Sequence, residues 1–263
     1  MSHETLITNA QIVTVDPDFS ITNSLLIRDK IIRAIGSKNE VEKEASSDAV
    51  NLDLGGRSVV PGFIDTHGHI ALFGLDELKV QLQGATNKAD ICEKIASKVS
   101  KVTDGEWIVC TPIGEPPYFL NAPELLRKGA VPERKDLDRI APNNPVYIQA
   151  PTNRVPNYAV LNSFALGLAG ITGDTDVSPH SRVVKDADGS PNGRIEGAVQ
   201  PLYNSDPLYQ MIENVAPRPT FDDVREGIAL LAPKFLEGGT TTLLEAHLTD
   251  PDELRAYIEL QQS

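Results

Sequence analysis

Two histidines separated by one residue, His67 and His69, are the residues of this sequence whose type and spacing could do chemistry. Residues i and i+2 of a β-strand point to the same side, so both imidazoles can reach one cation. Gly68 between them leaves room for close approach. Neutral imidazole is a good zinc ligand, and an open zinc site lowers the pKa of bound water to about 7. The pair therefore predicts a divalent metal site, with Zn as the expected metal. The alternative is a pair of buried, hydrogen-bonded histidines.

Two segments have the composition of strands that could position such a site. Phe63-Ile64-Asp65-Thr66 is short and mostly apolar, follows a Pro-Gly turn, and leads directly into the histidine pair, which is typical of a buried parallel strand with a functional C-terminal end. The second predicted strand, residues 240–245, ends at Glu245, with His247 just beyond it. Acidic residues at such strand ends often act in catalysis, so Glu245 is a candidate catalytic residue. The alternative for Glu245 is a paired structural carboxylate. For His247 a surface or supporting role is favoured over a ligand role.

The remaining segments predict a mixture of helices and strands. Residues 111–220 are rich in Pro, Asn, Gly and Asp, and they predict an inserted α+β region rather than part of a regular scaffold. The other predicted elements, in chain order, are short strands with tight turns in residues 1–60, a helix over 87–102, strands over 107–110 and 145–148, a helix over 158–168, a hairpin over 182–194, a helix over about 221–237 and a final helix in the remaining residues.

The composition of the 263-residue chain is that of an ordinary globular protein. Lys and Arg number 24 against 37 Asp and Glu, and the resulting net charge of -13 disfavours nucleic acid as a partner. No apolar run approaches the roughly 18 residues of a membrane span, and the first residues lack the pattern of a signal peptide. Cys92 and Cys110 match neither a CxxC pair nor a disulfide framework. We therefore expect a cytoplasmic protein with no nucleic-acid or membrane partner, and the sequence carries no signal for an oligomeric state.

Longer stretches of the sequence resemble a known family. The run Val59-Val60-Pro61-Gly62-Phe63-Ile64-Asp65-Thr66-His67-Gly68-His69 resembles the opening metal strand of the amidohydrolase superfamily. Residues 7–16 and 26–36 resemble the N-terminal sandwich strands of that superfamily. The stretches at 106–108, 135–142, 162–166 and 183–193 are similar to the metal-dependent amidohydrolases related to N-substituted formamide deformylase.

This resemblance implies a fold, a reaction and roles for particular residues. The implied fold is α/β: a partial (β/α)8 metal-dependent hydrolase barrel with a small N-terminal β-sandwich and a mixed α+β insertion. The implied domains are residues 1–60 for the sandwich part, 61–110 for the start of the barrel, 111–220 for the insertion, and 221–263 for the continuation of the barrel. The implied reaction is hydrolysis of carbon–nitrogen bonds other than peptide bonds in an amide-like small molecule.

The resemblance also bears on single residues. It implies His67 and His69 as metal ligands, and Glu245 stands where the group commonly has an acidic residue. It implies no cofactor-binding residue besides the metal ligands. Asn157 stands where the group often has a histidine, so no metal or substrate role is carried over to that position.

The length of the chain predicts an N-terminal fragment of such an enzyme. An eight-stranded barrel typically takes about 250 residues without insertions, whereas only 16 residues follow His247. We therefore expect further metal ligands and the general base to lie beyond Ser263. Two alternatives remain: a catalytically inactive remnant that acts as a binding module, and an enzyme that acts by ring opening or deamination. Residues 116–119 predict either a substrate-facing loop or a plain turn with an aromatic anchor.

Overall fold

The computed structural model describes residues 3–115, 131–151, 157–197, 205–248 and 250–262. The chain divides into two compact units: Met1–His67 with Phe235–Leu244, and Gly68–Lys234 with Glu245–Ser263. The described strands are β1 (Glu4–Thr8), β2 (Gln11–Val13), β3 (Ile21–Thr22), β4 (Ser24–Arg28), β5 (Ile31–Gly36), β6 (Val50–Asp53), β7 (Ser58–Val59), β8 (Phe63–Gly68), β9 (Ile108–Cys110), β10 (Val146–Ile148), β11 (Asn157–Leu161), β12 (Ser181–Lys185), β13 (Pro191–Gly197) and β14 (Thr240–Glu245). The described helices are α1 (Lys38–Val41), α2 (Ile70–Gly74), α3 (Lys88–Val99), α4 (Arg134–Ile140), α5 (Ser163–Ala169), α6 (Pro207–Glu213), α7 (Phe221–Glu237) and α8 (Pro251–Gln262).

The first unit contains two small sheets built from the N-terminal strands. One has the order β5-β4-β1-β6 and the other the order β3-β2-β7. In β1 the side chains at alternate positions are buried, as expected for a strand with one face against a core. That core contains Leu6 and Leu26, which pack with Val41 of α1. The short strands predicted in residues 1–60 are therefore present, while their arrangement as a β-sandwich remains a prediction.

The second unit is organised around a five-stranded sheet with the order β12-β13-β11-β10-β9. Helix α3 covers one side of it because its apolar residues recur at helical spacing: Ile91 and Ile95 are fully buried against Ile108 and Val146. The predicted hairpin corresponds to β12 and β13, which pair antiparallel. Strand β9 pairs with β10, so the strand predicted over 107–110 belongs to the same sheet as the hairpin. The domain boundaries predicted from the sequence remain a prediction.

The helix predicted over 158–168 is wrong in its first half. Residues Asn157–Leu161 form β11, which pairs antiparallel with β10 and β13. Helix α5 begins only after Asn162, whose side chain accepts a hydrogen bond from the Ala165 N–H and so caps the helix. The segment Tyr158–Leu161 is a short continuous apolar run, which does not by itself distinguish a strand from a helix, and the backbone partners on β10 and β13 decide for the strand.

Strands β8 and β14 form a separate two-stranded sheet. The Phe63 N–H donates to the Gly239 carbonyl at one end and the Ala246 N–H donates to the Gly68 carbonyl at the other, so the two strands run parallel. Helix α7, which precedes β14, has the bounds predicted from the sequence. Both strands of the predicted scaffold are thus present and paired, whereas the (β/α)8 barrel itself remains a prediction. The expectation that the first of them is buried is wrong: Phe63 and Ile64 are 58% and 69% exposed, because β14 is the one described strand that pairs with β8. No helix among the described residues is long and apolar enough to cross a membrane.

Candidate active site

The C-terminal end of β8 carries His67 and leads directly into a helix, whereas His69 lies just beyond the last strand residue, Gly68, so the two histidines do not both occupy the strand as the sequence predicts. His67 is exposed and lies near the end of the strand, where its backbone N–H donates to Asp65 Oδ1 at 3.0 Å. His69 lies in the second unit, directly before the first residue of α2, and 27% of its side chain is exposed. The bend from strand to helix therefore positions the imidazole of His69, while Asp65 braces the backbone before it.

Glu245 lies beside His69 because β14 runs parallel to β8. Only 9% of its side chain is exposed. Its Oε2 atom accepts hydrogen bonds from the Ala71 N–H at 3.1 Å and from the Tyr257 hydroxyl at 2.6 Å. Its Oε1 atom is buried, accepts no hydrogen bond from the described residues, and lies 3.5 Å from His69 Nδ1. The carboxylate thus connects the first turn of α2, helix α8 and the imidazole of His69.

Tyr257 contacts Glu245 and forms a strand-end cluster with Glu245 and His69. The sequence analysis did not identify this tyrosine. It lies on α8, twelve residues after Glu245. Burial raises the pKa of the Tyr257 hydroxyl far above its ordinary value, and the hydrogen bond to the Glu245 carboxylate raises it further. The hydroxyl therefore stays protonated and can act as a hydrogen-bond donor to Glu245 across the ordinary pH range. The sequence contains no motif that distinguishes this tyrosine, because its contact with Glu245 depends on how α8 folds back onto the strand end.

His247 lies near His69 but is exposed. The centroids of the two imidazole rings are 6.5 Å apart, and the rings are close to perpendicular, with an interplanar angle of 77°. This edge-on arrangement places His247 at the margin of the cluster. The preference for a surface or supporting role over a ligand role remains a prediction.

The donor groups of this cluster fit a divalent metal chemically, although they do not form a complete ligand set. Imidazole nitrogens and carboxylate oxygens are the ligands that zinc takes together with thiolates. The buried Oε1 atom of Glu245, which accepts no hydrogen bond from described residues, is the kind of atom that a nearby cation or N–H donor satisfies. Within the described ranges, however, no three His, Cys, Asp or Glu side chains are grouped so that they could hold a metal ion.

Two other positions singled out by the sequence lie away from this cluster or outside the described residues. Asn157 is buried in β11, where its Nδ2 atom donates to the Pro151 carbonyl at 3.0 Å. Its described contact is therefore structural. The predicted loop at residues 116–119 lies outside the described residues.

The second unit also contains a cleft of about 650 Å³. It is lined in part by carboxylates, among them Glu213, Asp250 and Glu253, together with Arg218. Neither His69, Glu245 nor His247 lines it. The cleft is therefore a separate feature from the strand-end cluster.

Comparison with known proteins identifies sequences that are similar to this chain. Residues 51–263 match the sequence profile of the amidohydrolase family. The chain is 30% identical over 203 residues to N-substituted formamide deformylase of Arthrobacter pascens, in a match that covers 76% of this chain and 35% of the relative. It is 27% identical over 240 residues to the protein LONG AFTER FAR-RED 3 of Arabidopsis thaliana, covering 91% of this chain and 38% of the relative. The chain thus spans little more than a third of the length of these relatives.

A solved structure shares the fold. An uncharacterized metal-dependent hydrolase of Pyrococcus horikoshii OT3 superimposes with a TM-score of 0.62 and 20% sequence identity. The superposition covers 98% of this chain and 46% of the other. The chain therefore shares its fold with part of that protein, and this fold is consistent with the predicted α/β class.

Proposed function

This chain belongs to the amidohydrolase family, and we propose on that basis that it is part of a metal-dependent hydrolase of carbon–nitrogen bonds other than peptide bonds. The observation that carries the proposal is that His67 lies near the C-terminal end of β8, His69 lies just beyond that end, and the buried carboxylate of Glu245 lies 3.5 Å from His69. Functional groups of barrel enzymes are found at this end of parallel strands. The substrate class, an amide-like small molecule, is carried over from the relative named N-substituted formamide deformylase.

The proposed roles are divided among three side chains. His67 and His69 would hold the divalent metal, with Zn as the expected ion because imidazole nitrogen suits it. Such a metal supplies Lewis acidity, which polarises a carbonyl and makes water easier to deprotonate. Glu245 is the acidic residue of the site, and its buried position keeps it next to His69. The described residues include no third group that would complete a ligand set.

Metal analysis tests the ligand assignment. Purified protein is loaded with zinc, desalted and measured for bound metal beside the double variant His67→Ala, His69→Ala and the control His180→Ala. His180 is exposed and lies in the linker before β12, so its loss should leave the zinc content unchanged. We expect the double variant to lose affinity by more than about tenfold, since removing a direct ligand should weaken binding at least as much as removing a supporting residue. Equal zinc in the double variant and the wild type would contradict the assignment.

A substrate panel tests the reaction class. It contains an N-substituted formamide, a simple amide, a cyclic amide or imide for ring opening, an aminated heterocycle for deamination, and a peptide. Hydrolysis of the formamide or amide, lost in the double histidine variant, supports the proposal. Activity only on the ring or amine substrates would move the reaction to those bonds. A cooperatively folded protein that binds no metal and turns over no substrate would instead support the non-catalytic binding module.

A further inference from the structure

We infer that Glu245 is a positioning residue which, held by Tyr257, keeps the His69 imidazole in the form with its proton on Nδ1 and so leaves Nε2 as the metal-binding atom. The inference rests on the proposed function, because the tautomer of His69 matters to the protein only if Nε2 binds a metal. It concerns groups that all lie in the second unit. It assigns Glu245 a role that acts through His69 instead of through direct contact with a substrate.

Two hydrogen bonds fix the Glu245 carboxylate in place. Its Oε2 atom accepts two hydrogen bonds, one from the backbone of Ala71 and one from the hydroxyl of Tyr257. The Ala71 N–H is one of the donors in the first turn of α2 that have no partner within the helix. These two donors come from different helices, so the plane of the carboxylate cannot rotate without losing at least one of them.

The other carboxylate oxygen of Glu245 needs a proton donor. With Oε2 engaged, Oε1 is directed to within 3.5 Å of His69 Nδ1. Oε1 is buried and accepts no hydrogen bond from any described residue. A buried carboxylate oxygen left without a donor is costly, so the proton of a neutral imidazole is favoured on Nδ1. The lone pair is then on Nε2, the ring atom farther from Glu245.

The same geometry predicts how an amide side chain would behave at position 245. In Glu245→Gln the Ala71 N–H and Tyr257 hydroxyl still require an acceptor, so the amide oxygen should take the place of Oε2. The amide NH₂ group is then directed at His69 Nδ1 and acts as a donor. Nδ1 must now accept a hydrogen bond, which favours the tautomer with the proton on Nε2. The substitution should therefore reverse the preference of His69 instead of only weakening it.

Nitrogen NMR of the metal-free protein tests the inference without any activity measurement. Protein labelled with ¹⁵N in histidine is recorded at a pH at which the imidazole is neutral, and the His69 signals are assigned by their loss in His69→Gln. We expect the Nδ1–H form to dominate in the wild type and the Nε2–H form in Glu245→Gln. The ratio should change by at least about tenfold, the effect of exchanging one charge-assisted hydrogen bond. Zinc affinity should fall by about 10- to 100-fold in the same variant.

Two further variants make the result decisive. Tyr257→Phe keeps the aromatic packing and removes one donor to Oε2, and it should shift the tautomer ratio in the same direction by a smaller factor. Glu226→Gln, an exposed residue of α7, is the matched control and should leave the His69 signals unchanged. Circular dichroism identifies any variant that fails to fold, in which case Tyr257→Phe carries the test.

The outcomes separate this inference from the proposed function. An unchanged tautomer ratio in folded Glu245→Gln and Tyr257→Phe overturns the positioning role, whatever the zinc measurements show. A reversed ratio together with a wild-type protein that binds no zinc supports the positioning geometry and contradicts the proposed function. A reversed ratio with weakened zinc binding supports both.

Discussion

The close approach of α2 and α7 is the packing feature whose perturbation can be worked out most fully from the structure. The two helices meet at Gly74 and Gly227, both in the second unit. A Cβ atom added at Gly227 would lie 2.6 Å from the carbonyl carbon of Gly74, whereas ordinary contacts begin at 3.4 Å. Because the obstacle is backbone and not the end of a flexible side chain, Gly227→Ala must separate the helices by about 0.8 Å, the difference between these two distances.

The expected loss of stability follows from two opposing effects. Overpacking of this kind costs up to about 3 kcal/mol, while replacing glycine by alanine inside a helix returns about 1 kcal/mol through helix propensity. We therefore expect Gly227→Ala to lower the free energy of unfolding by about 2 kcal/mol. Equilibrium urea unfolding followed by circular dichroism measures this as a lower transition midpoint with a similar slope.

Gly167 provides the matched control. It also lies inside a helix, α5, but a Cβ atom added there would meet no other atom within 4 Å. Gly167→Ala should thus show the propensity gain alone and raise the free energy of unfolding by about 0.5–1 kcal/mol. If Gly227→Ala were as stable as Gly167→Ala, the backbone contact between α2 and α7 would not be as close as described and the steric argument would be refuted.

Two further predictions concern buried hydrogen bonds and charge in the second unit. Asn162→Ala removes four hydrogen bonds of a fully buried side chain and should lower the free energy of unfolding by about 3 kcal/mol in urea denaturation. Asn162→Asp keeps the helix cap but loses the N–H donors to the Ala141 and Asn144 carbonyls, so it should also destabilise the protein. If both variants were as stable as the wild type, these hydrogen bonds would not contribute to stability as expected. Lys88→Met tests an ion pair. Burial, the largest single effect, raises the pKa of the Asp136 carboxyl, but the Lys88 hydrogen bond at 2.9 Å, the Glu133 N–H and the charges of Lys88 and Arg139 together hold that pKa below its ordinary value. A carboxyl whose pKa is lowered by folding stabilises the fold above its unfolded-state pKa, and this stabilisation is lost as pH falls through its folded-state pKa. Lys88→Met should therefore lower the free energy of unfolding by about 0.5–1 kcal/mol at pH 7, and this difference from the wild type should shrink in acid. A difference that does not change with pH would argue against the ion pair.

Local sequence signals were sufficient where the element depends on near neighbours. Helix α7 has the predicted bounds because an acidic first turn and the Gly238-Gly239 pair after its end are encoded within the segment itself. The strand predicted at 63–69 is present as β8, since its apolar run follows a Pro-Gly turn, but it ends one residue earlier, at Gly68, and its apolar residues Phe63 and Ile64 are exposed instead of buried. The family resemblance, carried by an ordered set of longer motifs, is confirmed by the match over residues 51–263.

Features that depend on distant partners could not be predicted in the same way. Residues 158–161 are a short apolar run that fits a helix or a strand, and they form a strand because β10 and β13 supply hydrogen-bonding partners on both sides. The role of Glu245 could be proposed only as an alternative between catalysis and pairing. Its environment is set by Tyr257 and Ala71, the latter 174 residues away along the chain. No spacing rule connects such positions.

The central claim is that His67 and His69 bind the same metal ion, and X-ray absorption spectroscopy of the zinc-loaded protein tests it most directly. We predict at least two imidazole nitrogens at about 2.0–2.1 Å from zinc, whose characteristic scattering disappears in the His67→Ala, His69→Ala variant. A spectrum dominated by sulfur at about 2.3 Å, or one that the double variant leaves unchanged, would contradict the claim.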